Sequence, residues 1–184
     1  MRLTGGLDRG RKLRAPRGSH TRPTAAKVRE AIFNILGPPP EGSVLDLYAG
    51  TGALGIEALS RGAHRAVFVE RDHQALVVLR RNLRELGVEE RSSVLGGEVC
   101  GALRRLASQE EHFSWVFLDP PYAKETEGVL AELSGGELLT SCAVVVVEHD
   151  RRHRPAGSVG GLFLTDRRMY GDTELSFFRR SSGS

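Results

Sequence analysis

The chain has 184 residues, 40% hydrophobic and 27% charged, with a net charge of +3, which suits one globular domain with its own core. No apolar run approaches the ~20 residues of a membrane helix, and the opening "MRLTGGLDRGRKLRAP" has no apolar signal region. Cys100 and Cys142, without CxxC spacing, offer neither a disulfide framework nor a zinc site, so a reducing cytoplasm is the expected compartment.

Charge is concentrated at the start. The first 30 residues hold nine Lys/Arg against Asp8 and Glu30, a balance of +7 in a chain whose total is +3. A basic arm on a mildly acidic body points to a polyanionic partner; a solvated tail is the plainer alternative. Residues 1–23 are taken as this arm, with Arg9, Arg11, Lys12, Arg14 and Arg22 as candidate phosphate contacts. Residues 24–180 form the domain, and 181–184 a disordered tail.

Thr24 can cap a helix over 25–36, where Val28, Ala31, Ile32, Ile35 and Leu36 form an apolar stripe. Gly37 and "PPP" end it. Strands and helices then alternate. "SVLDLY" reads as a strand, "ALGIEALSRG" as a helix, "RAVFVE" as a strand and "HQALVVLRRNLRELG" as an amphipathic helix. "RSSVLG" is a weak strand, "VCGALRRLAS" a helix and "SWVFLD" a strand; 125–133 is helical, and "CAVVVVEHD" reads as a strand covered on both faces. This alternation predicts an α/β fold, a parallel sheet with helices on both sides. "LFLTDRRMYGDTELSFFRR" reads instead as an antiparallel hairpin around "YGD".

"DLYAGTGALGIEAL" joins the first strand to its helix. Gly50, Gly52 and Gly55 allow a tight turn and close approach of a ligand to the backbone, and the helix start offers unpaired N–H groups. Glu70 ends the second strand, where a carboxylate can hold two ribose hydroxyls. A dinucleotide oxidoreductase and an S-adenosylmethionine enzyme share this pattern. Asp46 favours the second, because a carboxylate repels a pyrophosphate but suits the ammonium and sulfonium of S-adenosylmethionine.

Asp119 ends the fourth strand, on the same edge of the sheet. Pro120 and Pro121 fix the backbone and donate no hydrogen bond, so carbonyls and the Asp119 carboxylate stand as rigid acceptors. An exocyclic amino group of a base is a two-proton donor, and Tyr122 supplies a flat face for stacking. "DPPY" thus reads as a grip for a planar amino group, with Asp119, Pro120, Pro121 and Tyr122 as catalytic candidates. Glu148, ending the fifth strand, faces either this pocket or solvent. His149 and His153 read as solvated loop histidines, and the histidines show no metal-ligand spacing.

The stretches "GGLDRGRKL", "RPTAAKVREAIFNIL", "VLDLYAGTGALGIEALSRGA", "DPPY" and "YGDTELSFFRR" resemble the RsmD family of bacterial 16S ribosomal RNA guanine-N2 methyltransferases over roughly residues 3–180. "DPPY" and the glycine turn are shared by many amino-methyltransferases; the "RPT…VRE…FN" segment is the more specific mark. The resemblance implies a class I, Rossmann-like methyltransferase fold, a mostly parallel seven-stranded sheet ending in an antiparallel hairpin. It implies S-adenosylmethionine as cofactor, bound by Asp46, Gly50, Gly52 and Glu70. Glu98 falls where the family has Asp or Asn beside the adenine, and Tyr48 where the wider class has a glycine. The implied partner is ribosomal RNA, naked or in an assembling small subunit, acted on by a monomer without membrane or metal. Three other activities fit parts of the pattern: adenine-N6 methylation of DNA or RNA, nicotinamide-dependent redox chemistry, and RNA binding by a dead site.

Overall fold

A computed structural model of the chain describes residues 1–15, 23–39, 42–120 and 123–180. Arg22, Pro121, Tyr122, the Thr24 side chain and the 181–184 tail lie outside the described residues. The elements in chain order are α1 (Pro23–Leu36), β1 (Ser43–Leu47), α2 (Ala53–Ser60), β2 (Arg65–Glu70) and α3 (His73–Leu86). After them come β3 (Ser92–Gly96), α4 (Val99–Ser108), β4 (Phe113–Leu118), α5 (Ala123–Gly135), β5 (Leu139–Asp150), β6 (Ser158–Val159), β7 (Leu162–Tyr170) and β8 (Thr173–Arg180).

One sheet runs β3-β2-β1-β4-β5-β8-β7-β6. β1 to β5 are parallel, β8 joins β5 antiparallel, and β7 and β8 form the expected hairpin. The seven expected strands are present. The two-residue β6 adds an eighth, held against β7 through Ser158 and Val159. Strand order reverses between β1 and β4, the switch point at which open α/β sheets bind ligands beyond their strand C-termini.

Register sorts the side chains. Asp46 lies opposite Phe117, and Phe117 opposite Val146, so these three share a sheet face with Val44, Trp115 and Val144. That face packs under Val28, Ile32 and Phe33 of α1, Ile56 and Leu59 of α2, and Leu79 and Leu83 of α3. The opposite face, with Leu45, Val116 and Val145, packs on Leu103 and Leu106 of α4 and Leu130 and Leu133 of α5. Phe33 meets Phe117 edge-on at 5.6 Å and Trp115 at 6.0 Å.

The first fifteen residues are part of this cover rather than a separate arm. They fold back on themselves through an Arg2–Lys12 bridge and bonds from Leu3 N to Arg11 O and Leu13 N to Met1 O. Leu3 and Leu13 are buried in the α1–α3 side of the core. The docking is polar as well as apolar. Glu57 of α2 is fully buried and accepts the Thr4 amide at 2.9 Å, the Thr4 hydroxyl at 2.7 Å, Arg29 Nε at 3.2 Å and Arg61 Nε at 3.1 Å. Arg29, itself buried, also donates to the Arg2 carbonyl at 2.5 Å. A buried charge survives only when paired and hydrogen-bonded, and this one carboxylate satisfies donors from the hairpin, α1 and α2 together. Among the described residues no helix is long and apolar enough to cross a membrane.

Candidate active site

β1 delivers Asp46 to the ligand edge, and the chain then turns sharply into α2. Tyr48 (φ 57°), Gly50 (φ 55°) and Gly52 (φ 81°) all sit in the left-handed region. Two of these positions need glycine for different reasons. A Cβ on Gly52 would lie 2.3 Å from Leu79 of α3. A Cβ on Gly50 would meet nothing nearer than the Tyr48 carbonyl at 4.0 Å, because Gly50 borders open space that a ligand can fill. Tyr48 holds its strained conformation with its ring half-buried; burial and a hydrogen bond to Glu125 hold its hydroxyl well above the usual tyrosine range.

Two carboxylates tie the turn. Asp46 Oδ2 accepts the Gly55 amide at 2.8 Å. Glu70 Oε2 accepts the Gly50 amide at 2.7 Å, and its Oε1 accepts those of Arg71 and Asp72 at 2.8 Å each. A carboxylate has about four lone-pair directions, so Glu70 keeps capacity for further donors while fixing the loop beside it.

Asp46, Gly50, Asp119 and Glu148 line one cavity of about 240 Å³, closed on one side by Met1 and Arg29. The three acids share a sheet face on adjacent strands. Asp46 is buried, and burial lifts its carboxyl to about 8; the Gly55 amide opposes the rise, and the charges of Asp119 and Glu70 add to it. Asp119 is open to solvent yet closely surrounded by protein, and that enclosure raises it to about 6. Burial and the Asp119 charge raise Glu148 to about 7. Among the described residues neither Asp119 nor Glu148 is hydrogen-bonded or ion-paired, so both carboxyls are open to a hydrogen-bonding ligand. Pro120 follows directly, half-buried at the same edge.

Other expected residues fall elsewhere. Glu98 stands at the N-terminal boundary of α4 without a side-chain capping bond, lines a second cavity with Gly96 and Gly97, and pairs at 3.3 Å with Arg71, beside the Glu70 loop. Arg9 and Lys12 are exposed on the hairpin. Arg11 pairs with Asp8 at 2.8 Å, and Arg14 with Glu85 of α3 at 2.8 Å, so part of the arm's charge is neutralised within the protein. His149 departs from the solvated loop expected for it: it lies within β5, with Nε2 2.8 Å from Ser176 Oγ, because β8 pairs alongside and covers it. Arg29, Glu57 and Met1 escaped notice in the sequence. The one available signal was a charge set inside an apolar helical run, Glu57 between Ile56 and Ala58.

Comparison with known proteins finds relatives over nearly the whole chain. The family model described as "Conserved hypothetical protein 95" matches residues 1–179. The Bacillus subtilis protein YlbH is 38% identical over 182 residues, 98% of this chain and 99% of its own. The ribosomal RNA small subunit methyltransferase D of Haemophilus influenzae is 36% identical over 154 residues, covering 82% and 79%. The solved structure of Escherichia coli yhhF superposes with a TM-score of 0.84 at 30% identity, over 100% of this chain and 99% of that one. At 11% identity and a TM-score of 0.71, the SMU.776 methyltransferase structure complexed with SAH, 50% of which is covered, shows the shared fold alone. With matches of this length and identity, the chain belongs to the RsmD family of ribosomal RNA methyltransferases.

Proposed function

We propose that the protein transfers a methyl group from S-adenosylmethionine to the exocyclic N2 amino group of a guanine in small-subunit ribosomal RNA. The observation that carries this reading is the convergence of Asp46, Gly50 and Asp119 on one cavity at the switch point of the sheet. The residues fit the cofactor. Gly50 leaves the space a side chain would fill, Glu70 stands at the end of β2 for the ribose, and Asp46 is a buried carboxylate with one backbone partner, suited to an ammonium. A basic ligand group there would offset the burial that raises Asp46.

S-adenosylmethionine, when bound, supplies a methyl group already activated by its sulfonium. The protein's own task is the weak nucleophile, an amino group whose lone pair is spread into the ring. Asp119 and the Pro120 carbonyl accept its hydrogens, fix its direction and favour localisation of the lone pair as the new bond forms. Holding the nitrogen in line supplies much of the acceleration. The Asp119 carboxylate could also take the proton released. Tyr122 follows in sequence and is assigned as the stacking surface for the captured base, and Pro121 is assigned to the same grip. The exposed Arg9 and Lys12, with Arg11, Arg14 and Arg22, are assigned to RNA phosphates.

Incubation of small-subunit RNA with methyl-labelled cofactor, followed by nucleoside analysis, tests the reading. Label in N2-methylguanosine supports it, and label in N6-methyladenosine replaces the substrate base. Asp119→Ala should remove most transfer with cofactor affinity little changed; retained transfer would dismiss the grip.

A further inference from the structure

Glu148 has no task in the reaction as described. It follows Val147, which lies opposite Leu118 on β4, so Glu148 stands level with Asp119 one strand away, at a backbone spacing of about 4.8 Å. Its parity along β5 is that of Val146, which places it on the face that carries Asp46 and Asp119. It lines their cavity, and among the described residues nothing donates to its carboxylate. His149, its neighbour in sequence, points to the other side and is occupied with Ser176. A second carboxylate beside Asp119 raises the cost of ionising both, as the upward shift of Glu148 by the Asp119 charge records. Packing does not require that arrangement. Two adjacent acceptors facing one cavity do match a ligand with two adjacent donors.

Guanine presents such an edge. Its exocyclic N2 hydrogens and its N1–H are neighbouring donors, whereas adenine sets its amino group beside an N1 lone pair. We propose that Glu148 is the residue that selects guanine over adenine, its carboxylate accepting the N1–H of the base whose N2 amino group lies at Asp119. The inference rests on the guanine reading above. With adenine in the pocket the ionised Glu148 carboxylate would face a lone pair, and an acceptor opposed by another acceptor is left without its hydrogen bond. Sites built to hydrogen-bond one group reject analogues lacking it far more strongly than apolar pockets reject a changed shape. Without Glu148, the Asp119–Pro120 grip would hold either amino group.

The experiment uses the full-length protein and small-subunit RNA assembled by ligation, with guanine or 2-aminopurine at the position the wild-type enzyme labels. 2-Aminopurine keeps the N2 amino group but carries a lone pair at N1. Wild type should favour guanine by on the order of 100-fold in kcat/KM. In Glu148→Gln the amide NH2 can donate to that lone pair, while its carbonyl accepts the guanine N1–H more weakly than a carboxylate does, so transfer to guanine should fall, 2-aminopurine should gain, and the preference should shrink to less than about tenfold. Calorimetry with S-adenosylhomocysteine should give the same affinity for both proteins, which shows that the variant is folded with its cofactor site intact. An unchanged preference in the variant, whether or not both rates fall together, would overturn the proposal, since a proton acceptor or a structural prop would affect both bases alike. Label on a base other than guanine in the wild-type reaction would overturn the guanine reading itself, a result visible before any variant is made.

Discussion

Asp46 Oδ2 holds the Gly55 amide at 2.8 Å, pinning the end of β1 to the first turn of α2 across the whole glycine-rich loop. The same carboxylate is buried with its pKa lifted to about 8 from 3.8. In the unfolded chain it ionises near 3.8. Between these values the folded protein keeps a proton that the unfolded chain has lost, so stability falls as pH rises, by up to about 1.4 kcal/mol per unit. Above about pH 8 the favourable contribution is gone. Asp46→Asn removes this titration and leaves Asp119 and Glu148 in place. Denaturation from about pH 5 to 9 should therefore show a shallower decline for the variant. Equal slopes would mean that Asp46 does not titrate in this range. Cofactor affinity in wild type should rise with pH up to about 8, as the Asp46 carboxyl ionises, and fall above it as the ligand's ammonium loses its proton.

Glu70 binds three backbone amides, those of Gly50, Arg71 and Asp72, so its loss should affect both the ribose contact and the shape of the turn. Glu70→Ala should weaken S-adenosylhomocysteine binding by about 1–3 kcal/mol, the scale of losing charge-assisted hydrogen bonds. Calorimetry reads the difference, and an unaltered affinity would take Glu70 out of the site.

The buried tie between the hairpin and α2 makes the N-terminus necessary for stability. Leu13→Ala should cost about 2–5 kcal/mol as a core truncation. Glu57→Ala should cost about 3–5 kcal/mol, because it strands Arg29 in the interior. Deleting residues 1–15 should abolish a single cooperative urea transition. A sharp transition retained by the deletion would show that the hairpin merely rests on the surface.

RNA binding by the hairpin calls for substitutions that spare this packing. Arg9→Gln with Lys12→Gln changes two exposed side chains. RNA affinity should fall, and the slope of log affinity against log salt should become shallower by about 0.7–0.9 for each phosphate that the variant leaves unneutralised. A slope equal to wild type would assign RNA binding to another surface.

The site was legible where chemistry and local order coincide. The apolar runs ending in Asp46, Glu70 and Asp119 announced strands whose C-termini meet at one edge, and the glycines between Asp46 and Ile56 announced the turn. The N-terminal hairpin was not legible as structure. Its pieces are short, Gly-rich and without period, and they are held by partners more than fifty residues away, such as Glu57 for Thr4 and Ser60 for Asp8. His149 was misread for a related reason. The apolar run before it stops, but β8 arrives from the far end of the chain and extends the cover through Glu174 and Ser176. The hairpin β7–β8 was legible from its own turn residues, while the two-residue β6 was too short to leave a pattern.

The Glu57 junction also constrains the order in which the protein can form. Thr4 is made 53 positions before its partner Glu57. Until α2 is complete, Leu3 and Thr4 have nothing to dock on and Arg29 has no carboxylate. Met1 and Arg29 line the same cavity as the Gly50 turn, so the N-terminal cover and the ligand pocket share a wall. A chain without the hairpin would therefore offer a ligand the same carboxylates in a pocket opened on the Met1 side.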